Sequence, residues 1–195
     1  MNPDETLLAA CHAVSELCGA LATPYAIIGG IAASLTGRPR FTRDVDALLV
    51  LPDAEWTSWI AAATDRGFVA RVPDAPAFLR DTRVWPTIHQ PSGVPVDFVM
   101  AGLPFEEEAV RGAVSRDLGG IAVRIVRAEG LCVMKVIAGR PRDVADVQGI
   151  LDAVTDLDVT SVRRTLQEFD AALGRSDFLS LFGQLVAASR GPSDA

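Results

Sequence analysis

Two aspartates one residue apart, Asp44 and Asp46, stand at the head of an apolar run, with Val45 between them and Ala47-Leu48-Leu49-Val50 following. In an extended strand successive side chains alternate faces and residues two apart lie about 7 Å apart along the chain, so the two carboxylates share a face. Like carboxylates that close repel unless a cation sits between them. Hard oxygen ligands in that arrangement suit Mg²⁺. A third acid, Asp97, is the only one in the apolar segment Val94–Met100. A buried carboxylate is costly unless it is paired or metal-bound, and two solutions stay open for it: a metal ion, or an arginine such as Arg83 or Arg124.

Upstream, the apolar Tyr25–Ile28 ends in Gly29-Gly30. The order is strand, glycine turn, short helix, then a strand over Asp44–Leu51. A glycine pair lets backbone N–H groups at a helix start approach a phosphate; it also serves any tight strand-to-helix turn. Arg38, Arg40 and Arg43 fall just before the carboxylates, and Arg140 and Arg142 follow Lys135. An anionic triphosphate is the economical explanation of that uneven placement.

Gly29-Gly30 followed by Arg40-Phe41-Thr42-Arg43-Asp44-Val45-Asp46 resembles the signature of the nucleotidyltransferase superfamily with the polymerase-beta-like fold. Within it the resemblance is to the small bacterial enzymes that include AbiEii-type toxins of type IV toxin-antitoxin systems. Lys135-x-x-Ala138-x-Arg140-Pro141-Arg142-Asp143-x-x-Asp146 resembles a second block of the same enzymes. The resemblance implies an α/β (α+β) nucleotidyltransferase fold, a mixed twisted sheet flanked by helices with a helical C-terminal segment. It implies Asp44, Asp46 and Asp97 as catalytic residues and ligands of Mg²⁺ or Mn²⁺, with Asp97 helping to hold a second metal or accepting the proton of the attacking hydroxyl. Gly29, Gly30, Arg43 and Lys135 would meet the nucleotide, Lys135 through its phosphates. On the residues alone Lys135 also reads as a side chain that only snorkels, and Asp143 and Asp146 read as structural.

The activity so implied is transfer of a nucleoside monophosphate from an NTP to a hydroxyl of RNA or tRNA, a protein or a small molecule, with a cognate antitoxin as partner of a toxin. The contrary reading is an inactive regulatory or partner-binding module on the same fold. Three acids, a lysine and a glycine pair kept in apolar surroundings speak against decay.

At 195 residues the chain is long enough for one domain with a helical extension. The expected division is a nucleotidyltransferase core with its N-terminal helix over 1–127, a helical region packed on it over 128–190, and a disordered tail over 191–195. The net charge is −7 and no long Lys/Arg run occurs, so nonspecific DNA binding is not expected. Cys11, Cys18 and Cys132 fit neither a disulfide framework nor a zinc knuckle, and His12 and His89 have no ligand at zinc spacing. With no export signal and no apolar run long enough to span a bilayer, the expectation is a cytoplasmic protein without membrane partners.

The remaining periodicity predicts helices over Asp4–Ala22 and Pro52–Arg66, the latter with Trp56 and Trp59 as core. It predicts a short strand from Phe68, an irregular loop through Ala77, and a hairpin of Val84–His89 with Val94–Met100. Leu103–Leu118 reads as one helix with Glu106, Glu107 and Glu108 as a solvated first turn. A strand over Ile121–Val126 and four further helices complete the chain.

Overall fold

A computed structural model describes residues 3–189; the tail expected over 191–195 lies outside the described residues. The chain divides into two compact units. The first comprises Met1–Ile31 and Phe41–Val126, and the second Ala32–Arg40 and Arg127–Ala195. The segment 32–40 is grouped with the C-terminal helices in the second unit.

The first unit is built on a seven-stranded mixed sheet. Its strands are β1 (Tyr25–Ile28), β2 (Val45–Leu49), β3 (Phe68–Ala70), β4 (Val84–His89), β5 (Val94–Met100), β6 (Val114–Leu118) and β7 (Ile121–Ile125), in spatial order β3-β4-β5-β2-β1-β7-β6. β2 runs parallel to β5 and antiparallel to β1, and β1 runs parallel to β7. The amphipathic α1 (Pro3–Ala20) buries Cys11, Val14, Leu17 and Cys18, so both thiols serve packing. Burial pushes each of them up to about 12. The helix α3 (Trp56–Thr64) buries Trp56 and Trp59, and Trp59 sits edge-on to Trp85 and Phe98. Aromatic side chains of this kind bury large apolar areas and prefer such edge-to-face contacts.

Two segments differ from the sequence-based expectation. Ala75–Thr82 is a helix, α4, whose first three residues lie in the segment expected to be a loop through Ala77. Asp74 accepts a hydrogen bond from the Ala77 N–H at 3.1 Å and Pro76 occupies the first turn, so the proline starts the helix instead of breaking it. The expected helix Leu103–Leu118 ends early: α5 covers Pro104–Arg111, and Val114–Leu118 is strand β6. β6 forms an antiparallel hairpin with β7 across Gly119-Gly120, both at positive φ, and this cross-strand pairing overrides a weak local helical pattern. Glu106 caps α5 by accepting from the N–H groups of Gly102 and Leu103, as its first-turn position suggests.

The second unit consists of helices. The helix α2 (Gly29–Thr36) begins in the first unit and continues into this one; α6 (Ala128–Ala138), α7 (Pro141–Ala153), α8 (Val159–Leu173) and α9 (Asp177–Ser189) follow. Gly139 ends α6 in the left-handed conformation and Pro141 opens α7, the arrangement that the Gly-Arg-Pro sequence favours. Leu131, Val136, Val147, Ile150, Val162, Leu166 and Phe182 are buried among these helices. Among the described residues no helix is long and apolar enough to cross a membrane.

Candidate active site

In the first unit the parallel pairing of β2 with β5 sets Asp46 directly opposite Asp97, while the antiparallel pairing with β1 sets Asp46 opposite Ile28. Residues opposite one another in a sheet share a face, so two acids from distant parts of the sequence meet side by side. Asp44 lies one residue before the start of β2. Its Oδ1 accepts from the Thr42 hydroxyl at 2.7 Å.

Gly29 follows β1 and is packed flush against this row. A Cβ on Gly29 would fall 1.8 Å from Asp46 Oδ2, and the residue has φ +63°. No side chain is sterically tolerable there. Gly29 and Gly30 are also the first two residues of α2, so the N-terminal N–H groups of that helix begin beside the Asp46 carboxylate. Arg43 is exposed, with its guanidinium 5.4 Å from the ring centre of Phe41. Phe41, Thr42 and Arg43 line a cleft of about 350 Å³ together with Thr6, Leu7 and the turn Ser92-Gly93-Val94.

Asp97 has an ionic partner that sequence reasoning missed. Arg71 donates to its Oδ1 at 2.5 Å. The two arginines singled out from the sequence are engaged elsewhere: Arg83 with Asp53 and the carbonyls of Met100 and Ala101, Arg124 with the carbonyls of Val110, Arg111 and Ala113. Nothing local in the sequence points to Arg71; the pairing of three strands brings it to Asp97.

In the second unit the residues of the second sequence block form a buried charge network. Lys135, 6% exposed, donates from Nζ to Asp143 Oδ1 and Asp146 Oδ2, both at 2.8 Å. Arg140 donates to the other oxygen of Asp143 at 2.5 Å, and Arg40 makes a two-pronged pair with Asp146 at 2.7 and 3.0 Å. Burial works against ionisation of both aspartates. Hydrogen bonds from Arg140 and Lys135 outweigh it at Asp143, and those from Arg40 and Lys135 at Asp146, so both carboxyls lie below their ordinary range. The Lys135 ammonium thus ties α6 to α7, and Asp143 and Asp146 have the structural part read from their position.

Oxygen ligands alone at Asp44 and Asp46 suit Mg²⁺ or Mn²⁺, which commonly bind one or two carboxylates and complete their shell with water and substrate phosphates. Among the described residues no three His, Cys, Asp or Glu side chains gather as a ready-made metal cage. The donor set fits a metal shared with a nucleotide.

Comparison with known proteins decides the family. The model of the family "Nucleotidyl transferase AbiEii toxin, Type IV TA system" matches residues 17–191. The chain belongs to this family. As an AbiEii-family protein it is a nucleotidyltransferase enzyme, and the inactive-module reading is set aside. No curated protein matches the chain. Among solved structures it is similar to the antibiotic-resistance factor ANT(2'')-Ia in solution, at 19% identity and TM-score 0.60 over 88% of this chain and 96% of that one. It is also similar to an antigenic nucleotidyltransferase-like protein from Paracoccidioides brasiliensis, at 13% identity and TM-score 0.56 over 92% and 93%. At these identities the likeness is one of fold, and it agrees with the mixed sheet and helical C-terminal segment expected from the sequence.

Proposed function

We propose that this AbiEii-family enzyme moves a nucleoside monophosphate from an NTP to a hydroxyl acceptor in a reaction dependent on Mg²⁺ or Mn²⁺, and that it is the toxin of a type IV toxin-antitoxin pair restrained by a cognate antitoxin. The observation that carries the reading is the row in which Asp46 faces Asp97 and lies against Gly29. Acid pair, third acid and glycine-led helix start are the parts that phosphoryl transfer needs, because it draws on positioning and charge stabilisation more than on covalent chemistry.

Asp44 and Asp46 are the residues that would hold the divalent ion, with Thr42 fixing the Asp44 carboxylate through its hydroxyl. The ion, when bound, supplies Lewis-acid neutralisation of the developing phosphate charge. Gly29 and Gly30 leave room for the triphosphate to approach the backbone N–H groups of α2, and Arg43 adds a positive charge. Asp97 is suited to accept the proton of the attacking hydroxyl when Arg71 does not occupy it. For Lys135 a phosphate contact stays a proposal beside its structural pairing, and loss of NTP affinity in Lys135→Arg, which keeps charge and pairing capacity, is the result that would support it.

Incubating the protein with each α-labelled NTP, Mg²⁺ and, separately, total RNA, cell protein and small-molecule extract identifies donor and acceptor together. Label should pass to one of the three pools with wild type and not with Asp46→Asn. Failure to label any pool, in an otherwise folded protein, would refute the reading.

A further inference from the structure

Arg71, Pro86, Asp97 and Asp46 form one row across the sheet. Asp97 is the register partner of both Asp46 and Pro86, and the Arg71 N–H donates to the Pro86 carbonyl at 3.0 Å, continuing the β3–β4 ladder by one residue beyond Ala70↔Thr87. Members of such a row point to the same face. Strands two apart lie roughly 10 Å from one another, a span that a long arginine side chain crosses when its backbone is pinned. Arg71 is therefore aimed over the buried Pro86 at the Asp97 carboxylate, on the face that carries Asp46.

We propose that Arg71 is a positioning residue of the metal site, a built-in counter-cation that occupies Asp97 and competes there with a divalent ion. This rests on the reading that Asp44 and Asp46 hold that ion. Asp46 and Asp97, register partners in the parallel pair of β2 and β5, set two like charges side by side. The guanidinium neutralises that of Asp97 without adding a protein ligand beside it. A divalent ion drawing on Asp97 must displace this guanidinium or be repelled by it, since two cations cannot share one part-exposed carboxylate without cost. The side chain is 44% exposed, so it has room to swing away. Arg71 thereby sets how tightly the empty enzyme takes up metal and ties release of Asp97 to that uptake.

The test is Mn²⁺ titration of the nucleotide-free protein, read by the loss of the free-ion electron paramagnetic resonance signal, for wild type, Arg71→Gln, Asp97→Asn, the double variant and Asp46→Asn, with circular dichroism to verify folding. Arg71→Gln should bind Mn²⁺ about two- to fivefold tighter than wild type, the scale of a part-exposed ion pair that no longer has to be broken. In the Asp97→Asn background the same change should have no effect. Equal or weaker Mn²⁺ affinity in Arg71→Gln, with binding still dependent on Asp46, overturns the proposal while leaving the metal reading intact. Absence of Asp46-dependent binding in every variant overturns the metal reading and this proposal with it. A gain that persists in the Asp97→Asn background also overturns it, because Arg71 would then act by general charge and not through Asp97.

Discussion

The two units use the same residue types in opposite ways. In the first, Asp44, Asp46 and Asp97 are part-exposed, the first two at the start of β2 and Asp97 in the middle of β5, and Asp97 is held by Arg71 from two strands away. In the second, Asp143 is fully buried and Asp146 nearly so, and Lys135, Arg40 and Arg140 meet both oxygens of each. A buried carboxylate with both oxygens paired to cations cannot change partners without a large desolvation cost. A part-exposed one exchanges partners readily, which a site that must load and release charged substrates requires. Burial and pairing, more than residue identity, separate carboxylates suited to chemistry from those that hold helices together.

The sharpest way to break this comparison is to neutralise one acid of the first unit. Asp46→Asn should lower nucleotidyl transfer by about a thousandfold or more, as expected when a group stabilising transition-state charge is lost. Its melting temperature should stay close to that of the wild type, because a part-exposed acid is replaced by an amide of the same shape. A fall in stability parallel to the fall in activity would place Asp46 in the same class as Asp143.

The second variant attacks the other side. Lys135→Met leaves Asp143 and Asp146 without their shared cation in a buried setting, and should destabilise the protein by about 3–5 kcal/mol. Urea unfolding followed by circular dichroism measures it. A loss below about 1 kcal/mol would show that Arg40 and Arg140 suffice, leaving Lys135 free for phosphate.

The smallest effect is on acid stability. Asp143 and Asp146 have carboxyls depressed in the folded protein. Their contribution is therefore complete above the unfolded carboxyl value near pH 4 and is lost as pH falls through the lower folded values. Thermal melts between pH 7 and pH 2 should fall steeply only at the acid end, and Asp146→Asn should flatten that fall. An unchanged slope in the variant would mean that other carboxylates govern acid unfolding.

Much of the site was legible in the sequence because it depends on local spacing. Asp44 and Asp46 are two residues apart in an apolar run, Gly29-Gly30 follows a strand, and Pro141 follows Gly139; each fixes local geometry with little help from afar. The hairpin of β4 and β5, which carries Asp97, was legible for the same reason, through its Pro-Ser-Gly turn. Where local signals were weak the reading failed. Pro76 reads as a breaker until Asp74 caps the turn beneath it, and Val114–Leu118 reads as helix until β7 pairs with it.

The sequence by itself determined the candidates for chemistry, the family resemblance, and the strands and helices that carry or flank them, since these follow from side-chain alternation, turn chemistry and motif spacing within short stretches. Only the tertiary structure decided their partners. That Asp97 lies opposite Asp46, that Arg71 and not Arg83 or Arg124 reaches it, and that Lys135 lies buried between Asp143 and Asp146 with Arg40 bound to the latter all depend on strand register and helix packing. Pairing of charges is set by distances across space, and residues 26 or 106 apart in the chain carry no local mark of meeting.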